Sequence, residues 1–328
     1  MREMAKQSLS EQLDRIVQNI LSRSDGSLAG VSAQIAPQAR VAFALRGLPR
    51  EQFRDNLKAD LERRATMTAT GVKPVREGFH TITPYIIVPG ATGLIDFMKA
   101  AFGATELFRV QRPGTNMIMH AEVRIGDSMI ELSDGNEQFA PTPGAIHLYV
   151  KEADAAYKRA LELGAESLRT PVDQPYGDRE GSVKDAFGNH WYIATHKGAT
   201  YIPEGLRTVT PYIHARGADR LMAFTKNAFG AEEIERHLGP EGTIVHGAVK
   251  IGDSVLEMGE AHAEFGPMAS TLHLYVPDTD ALYERALAAG ATSIQPPADQ
   301  PYGDRSAGVK DPFGNRWFVA THIKDVTF

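Results

Sequence analysis

The sequence predicts an α+β protein of two tandem domains, preceded by a short helical N-terminal segment. The seven residues DQPYGDR at 173–179 recur letter for letter at 299–305, which shows that the chain contains a duplicated unit. Within each copy, apolar residues alternate over short stretches and then recur at three- and four-residue intervals. This order predicts two successive βαβββ modules in each domain.

The length of the repeat follows from the spacing of other matched stretches. HLYV at 147–150 recurs 126 positions later, whereas TPYI at 83–86 recurs 127 positions later. One residue has therefore been gained or lost between them. We place this change in the turn at 112–117, because loop tips tolerate length changes that strands do not. The predicted parts of the chain are an N-terminal segment at 1–75, a first domain at 80–197 and a second domain at 207–323.

Composition excludes several kinds of site. The 328 residues are 42% hydrophobic and 23% charged, as in ordinary globular proteins. There is no cysteine, so disulfides, thiolate metal sites and cysteine nucleophiles are excluded. With a formal charge of −6 and no dense basic run, we expect no nucleic-acid partner. We expect no membrane partner and a cytoplasmic location, because the sequence shows neither a long apolar run nor an apolar leader.

The N-terminal segment at 1–75 predicts three helices. Residues 8–21 combine capping-box spacing with apolar residues at three- and four-residue intervals. Further helices are predicted at about 37–47 and from Pro49 onward, with a linker over 65–78. We interpret the segment as a packed appendage or as a contact between two chains of a homodimer, because it is amphipathic and has no catalytic constellation.

The first repeat shows the order of elements that both copies follow. Alternation over 81–88 predicts a strand, and helical spacing over 93–102 predicts a helix that ends at Gly103. Three strands follow, the last two joined by a Gly-Asp hairpin turn at 126–127. The same order then repeats over 145–195.

These motifs resemble the vicinal-oxygen-chelate superfamily, which includes glyoxalase I, extradiol dioxygenases, fosfomycin-resistance transferases and bleomycin-binding proteins. The resemblance rests on HLYV before a helix that ends in LGA or AGA, and on DAFGN or DPFGN before the last strand, each within two βαβββ modules. The PYGDR loop and HAEVRIGDS at 120–128 are similar to the PhnB-like branch. The resemblance implies tandem glyoxalase-like domains whose modules form cupped mixed sheets.

The resemblance also implies a divalent metal on the cup face, held by the first and fourth strands of two modules. Here the fourth strand supplies a glutamate and the partner's first strand a histidine, which suit Zn, Mn, Fe or Ni. The other two positions fall on a proline and an aromatic ring, so we expect no tightly bound metal and no other cofactor. These positions are Glu131, His147, Pro84 and Tyr192 in the first repeat and Glu257, His273, Pro211 and Phe318 in the second.

A metal could still bind if His120 or His246 supplied a third ligand. Otherwise, His147 and His273 are half-buried strand residues, hydrogen-bonded to a carbonyl or to the neighbouring glutamate. Such a Glu–His pair can transfer protons without a metal. The candidate catalytic residues, or metal ligands if a metal is present, are therefore Glu131, His147, Glu257 and His273.

Aromatic and basic residues complete the predicted binding sites. Tyrosine and arginine of the repeated loop could hold a planar or anionic ligand, or the arginine could pair with an aspartate of its own loop. The last strand has a phenol in one repeat and a bare ring in the other, so a polar ligand should select the cup that contains Tyr192. Trp191 and Trp317 are expected in the core. The candidate ligand-binding residues are Tyr85, His120, Tyr176, Arg179, Tyr192, Tyr212, His246, Tyr302, Arg305 and Phe318.

Two functions follow, and they leave open whether the protein is an enzyme. The first is binding of a small, partly aromatic or anionic molecule without a complete metal triad, which the incomplete ligand positions favour. The second is a divalent-metal-dependent lyase, isomerase, transferase or dioxygenase. A structural or regulatory module that acts through the N-terminal helices is a third.

We also expect the two repeats to form an internal pseudo-dimer. The cups could be completed within each repeat or between repeats. If they are completed between repeats, Glu131 should meet His273 and Glu257 should meet His147.

Overall fold

The computed structural model describes residues 71–263 and 265–326, and the helices predicted at 8–21, at 37–47 and from Pro49 lie outside this range. The described residues from Val72 onward form one compact unit. Within the described residues, the order βαβββ occurs four times, which confirms the α+β fold predicted from the hydrophobic pattern. No helix of this part of the chain is long and apolar enough to cross a membrane.

The first repeat contains eight strands and two helices. They are β1 (Ile82–Val88), α1 (Ala91–Phe102), β2 (Thr105–Gln111), β3 (Ile118–Ile125), β4 (Ser128–Asp134), β5 (Ala145–Tyr149), α2 (Ala153–Glu162), β6 (Glu166–Asp173), β7 (Asp178–Lys184) and β8 (His190–His196).

The second repeat has the same order. Its elements are β9 (Val209–Ala215), α3 (Ala218–Phe229), β10 (Glu232–Leu238), β11 (Ile244–Ile251), β12 (Ser254–Glu260), β13 (Thr271–Tyr275), α4 (Thr279–Ala288), β14 (Thr292–Asp299), β15 (Asp304–Lys310) and β16 (Arg316–His322). The turn at 112–117 is one residue longer than its counterpart at 239–243, as the change of repeat offset predicted.

The strands form two mixed eight-stranded sheets, and each sheet joins one half of each repeat. The first has the order β2-β3-β4-β1-β13-β16-β15-β14, and the second has the order β10-β11-β12-β9-β5-β8-β7-β6. At the junctions, β1 runs antiparallel to β13 and β5 runs antiparallel to β9. Of the two arrangements left open by the sequence, the chain therefore adopts the one in which sheets are completed between repeats.

The repeated Gly-Asp-Ser turns fasten these junctions. Asp127 accepts a hydrogen bond from the Thr208 amide (3.0 Å), and the Ser128 hydroxyl accepts one from the Val209 amide (3.1 Å). The turn at 252–254 makes the matching bonds to the start of β1. A side chain at Gly126 would lie 2.2 Å from the Thr208 hydroxyl, so glycine is required there.

Each hydrophobic core is formed almost entirely by residues of one repeat, whereas each sheet contains strands of both repeats. In the first repeat, α1 and α2 pack with one face of β1, β3, β4, β5 and β8, and the second repeat is built alike. Trp191 and Trp317 are fully buried in these cores, as predicted. Asp185 accepts hydrogen bonds from the Trp191 indole N–H and the Asn189 side chain, both at 2.8 Å, which gives the repeated Asp-x-Phe-Gly-Asn-x-Trp motif a structural role.

Candidate functional site

The polar residues of the candidate site lie on the sheet faces opposite the helices. We call this face cup A in the sheet formed by β1–β4 and β13–β16, and cup B in the sheet formed by β5–β12. Neighbours across a ladder point to the same face, and successive residues point to opposite faces. Glu131 lies opposite Tyr85 and His147 lies opposite Tyr192, so each pair shares a cup.

A glutamate and a histidine from different repeats meet in cup A. The Nδ1 atom of His273 lies 2.7 Å from Oε2 of Glu131, and Glu131 is only 2% exposed. Burial opposes charge on both side chains, but their mutual attraction holds the pKa of Glu131 below its usual value and that of His273 above it. Both shifts favour the charged form of each side chain, so the contact is a largely buried ion pair.

Cup A contains a second carboxylate that the sequence reasoning missed. Glu122 on β3 lies opposite Glu131, is buried, and bonds to Nε2 of His120 at 3.3 Å. The Arg76 guanidinium also contacts the Glu122 carboxylate. The alternation of His120 and Glu122 along the predicted strand was the available signal.

Cup B repeats the cross-repeat pair. Nδ1 of His147 lies 3.0 Å and 3.3 Å from the two carboxylate oxygens of Glu257. Burial opposes the charge on His147, but Glu257, with help from Glu180 and Asp178, raises its pKa to about 9. The imidazole therefore carries a positive charge at neutral pH and can donate from both nitrogens.

The second nitrogen of His147 has an unusual environment. Its Nε2 atom is buried and makes no hydrogen bond with any described residue. Oε2 of Glu180, on β7, lies 3.4 Å away but outside hydrogen-bond geometry. Burial raises the pKa of Glu180 above its usual value, while the charge of His147 opposes that shift. Cup B thus presents a charged, unused donor beside a carboxyl group.

The second carboxylates of the two cups come from different strands. Glu122 of cup A is replaced by Ala248 at the matching position of cup B, and Glu180 of cup B is replaced by Ser306 in cup A. A comparison of the repeats that looks only for shared residues therefore overlooks both carboxylates.

Aromatic rings line cup B. The Tyr192 hydroxyl lies 2.7 Å from Nε2 of His214, and the rings of Tyr192 and Tyr212 are 5.4 Å apart. Burial lowers the pKa of His214 to about 4, so the neutral imidazole can accept the phenol hydrogen. Phe265 stacks on His214 with centroids 5.4 Å apart, and these rings form an apolar wall.

Cup A has the corresponding rings of Tyr85 and Phe318, with centroids 5.9 Å apart, and Phe139 packs edge-on against Phe318 at 5.7 Å. On the edge strand pairs of the two cups, the imidazoles of His120 and His246 remain partly exposed. The structure therefore brings these sequence-predicted aromatic and imidazole residues to the cup faces.

The repeated loops contribute tyrosines to the cups. The hydroxyl of Tyr176 donates to Glu180 at 3.3 Å, and the hydroxyl of Tyr302 lies 3.4 Å from that of Ser306. Both rings are well exposed, so they lie at the mouths of the cups.

The loop arginines are placed differently from the tyrosines. Arg179 precedes the cup-facing Glu180, and its guanidinium binds Asp154 of α2 and Asp173. Arg305 binds Asp280 and Asp299 in the same way. Because these aspartates hold the guanidinium groups on the helix side of the sheets, the structure does not bring Arg179 or Arg305 into the cups.

The first-strand metal position also differs from the expectation. Pro84 and Pro211 face the helices, because Tyr85 and Tyr212 are the residues opposite Glu131 and Glu257. The assignment was wrong by one residue, which reverses the face on a strand. Burial raises the pKa of both phenols, so neither is a favourable metal ligand at neutral pH.

The imidazole and carboxylate groups of the cups, as they are arranged here, do not fit a divalent metal ion. In cup A, ligand atoms of His120, Glu122 and Glu131 lie within 4.8 Å of one another. However, Arg76 contacts Glu122 and His273 bonds to Glu131, so both carboxylates already have cationic partners. Among the residues that the structure describes, cup B has no matching three-ligand group.

Comparisons with known proteins agree with the observed fold. A family model described as Glyoxalase/Bleomycin resistance protein/Dioxygenase superfamily matches residues 78–193 and 213–319. Over 123 residues, 34% of this chain, the sequence is 40% identical to proteins of Mycobacterium bovis and Mycobacterium tuberculosis described as uncharacterized, covering 80% and 72% of those chains. The crystal structure of glyoxalase I from Zea mays has a TM-score of 0.56 and 14% identity, covering 73% of this chain and 92% of that one. At this identity the likeness concerns the fold alone.

Proposed function

Because the chain belongs to the Glyoxalase/Bleomycin resistance protein/Dioxygenase superfamily, we propose that it binds a small, partly aromatic or anionic molecule in its cups without a metal ion. Cup B is the principal site in this proposal. A fold of this kind hosts many chemistries, so the proposal depends on the residues of the cup.

The observation that supports cup B most directly is the buried Nε2 atom of His147, which makes no hydrogen bond with any described residue, although Glu180 lies 3.4 Å away. A buried donor without a partner is costly, and a charged one more so. An oxygen atom of a ligand could accept this hydrogen bond. A carbonyl, carboxylate or phenolate oxygen is the matching chemical group.

The walls of cup B favour a planar ligand. Tyr192 and Tyr212 offer partly exposed rings that pack against the buried Phe265, and Tyr176 adds an exposed ring at the mouth. Glu180 would repel an anionic ligand when ionised, but burial raises its pKa, so Glu180 can take up a proton when an anion binds and then donate to the anionic oxygen. We therefore propose that the ligand is an aromatic molecule with an acceptor oxygen, and that an anionic ligand binds together with one proton, which is held by Glu180.

The alternative is a divalent-metal-dependent lyase, isomerase, transferase or dioxygenase of the same superfamily. The cluster of His120, Glu122 and Glu131 in cup A favours it. The contact of Arg76 with Glu122 disfavours it, because the guanidinium would have to leave before a metal ion could bind.

Calorimetric titration with benzoate tests the proposal, with benzylamine as a ligand of opposite charge. We expect benzoate to bind and His147→Gln to abolish this binding. Arg179→Ala is the matched control and should leave the affinity unchanged, because its guanidinium lies outside the cup. Preferential binding of benzylamine, or the same benzoate affinity in His147→Gln, would contradict the proposal.

A further inference from the structure

Arg76 belongs to a short segment, residues 72–79, that precedes β1 and lies outside both repeats as the sequence defines them. The segment is fixed to the second repeat, because the carbonyl of Pro74 accepts a hydrogen bond from the His322 amide at 2.8 Å. Phe79 is buried against Tyr275, with ring centroids 5.5 Å apart. Arg76 therefore approaches cup A from an anchored backbone.

The Arg76 side chain is positioned by two contacts. Its guanidinium touches the Glu122 carboxylate and lies 4.3 Å from the centroid of the Phe79 ring. The positive charge of Arg76 also attracts the Glu131 carboxylate and opposes the rise in the pKa of His273. Arg76 thus acts on the same groups that would surround a metal ion in this cup.

The second repeat lacks both members of this contact. In the segment before β9, the Tyr201 carbonyl accepts from the His196 amide at 3.0 Å, which matches the bond between Pro74 and His322. Two residues further along, however, Pro203 stands where the first segment has Arg76. Ala248 likewise stands in place of Glu122. The cation and its carboxylate partner are therefore present together in cup A and are both replaced at the matching positions of cup B.

We propose that Arg76 is the resident cation of cup A, and that its guanidinium takes the place of a divalent metal among His120, Glu122 and Glu131. A guanidinium remains charged at all physiological pH values and pairs well with carboxylates, so it balances Glu122 permanently. This inference goes beyond the proposed function, because it concerns cup A and requires no ligand in cup B.

The experiment removes the charge and asks whether a metal replaces it. Arg76→Met keeps an apolar side chain to pack on Phe79, and Arg76→Lys keeps a positive charge. After chelator treatment, each protein is dialysed against Co²⁺ or Ni²⁺, bound metal is measured by elemental analysis, and the visible spectrum of bound Co²⁺ is recorded. We expect Arg76→Met to gain one tightly bound ion per chain, whereas the wild type and Arg76→Lys remain below stoichiometry.

The Glu122 carboxylate provides the control. Adding Glu122→Gln to Arg76→Met should abolish metal binding, because a carboxylate ligand is lost. If Arg76→Met unfolds more easily than the wild type, either a divalent ion or the added Glu122→Gln should restore its melting temperature. A stoichiometric ion that remains in the wild type after chelation would overturn the proposal, as would a folded Arg76→Met that gains no metal.

Discussion

The ion pair between His147 and Glu257 should make the stability of the protein fall as the pH rises above about 6.5. In the folded protein, the pKa of His147 is raised to about 9 from an ordinary value of 6.5. A raised pKa contributes stability that is fully present below the unfolded pKa and is lost as the pH rises through the folded pKa. The affected window is therefore about pH 6.5 to 9.

The size of the effect follows from the two pKa values. They differ by about 2.5, and each unit corresponds to about 1.4 kcal/mol, so the pair should contribute about 3 kcal/mol at pH 6.5. Most of this contribution should be lost by about pH 10, with a slope of at most about 1.4 kcal/mol per pH unit. Domains are typically stable by only about 5–15 kcal/mol, so the change is measurable.

Urea unfolding of the wild type and Glu257→Gln over this pH range isolates the pair. Subtracting the two curves removes other groups that titrate, including His273 of cup A, whose pKa is also raised. The groups that face His147 are Glu257 on β12, Glu180 and Asp178 on β7, and Tyr149 beside it on β5. We expect the wild type to exceed the variant by about 3 kcal/mol near pH 6.5, and the difference to approach zero by about pH 10. Parallel curves for the two proteins would refute this reasoning.

Three further predictions concern the core, the cup and the assembly. Trp317→Phe should lower the free energy of unfolding in urea by about 2 kcal/mol or more, because Asp311 loses its 3.0 Å hydrogen bond from the indole and a cavity opens. An unchanged urea midpoint would contradict the structural role of the Asp-x-Phe-Gly-Asn-x-Trp motif. Tyr192→Phe leaves Nε2 of His214, in the wall of cup B, without its hydrogen bond to the phenol, so benzoate binding to cup B should weaken by about 0.5–1.5 kcal/mol. Phe318→Tyr in cup A should not weaken it, and equal calorimetric affinities for the wild type and Tyr192→Phe would reject a special role for the phenol. Each sheet contains strands of both repeats, so the two repeats, produced separately and mixed, should assemble into a one-to-one complex that light scattering detects. Two folded monomers that do not associate would disprove this.

The fold could be predicted largely from the sequence, because period-two and period-3.6 patterns are local and occur four times. The cross-repeat contacts of Glu131 and Glu257 could be predicted only as one of two alternatives. The choice between these alternatives depends on which strand pairs with β1, and local sequence patterns contain no information about that pairing. The chain resolves it through the turns at 126–128 and 252–254, which bond to the opposite repeat.

Errors at the site have two physical causes. Pro84 was placed in the cup because its register was wrong by one residue, and on a strand that reverses the face. For Arg179 the sequence left two possibilities, a ligand in the cup or an aspartate of its own loop; the structure has the second, because the alternation that points Glu180 into the cup points Arg179 towards Asp173 and Asp154. Glu122 was missed for another reason: although it lies in HAEVRIGDS at 120–128, the matching residue of the second repeat is Ala248, so a search for residues common to both repeats passes over it.

The exchange of halves between the repeats has an evolutionary consequence. In a symmetric dimer of identical chains, every substitution appears in both sites, so a change that suits one site must be tolerated by the other. Here Glu122 faces one cup while Ala248 faces the other, and both positions belong to one polypeptide. Covalent fusion thus lets natural selection alter one cup and keep the other, while the shared sheets still oblige the two repeats to fold together.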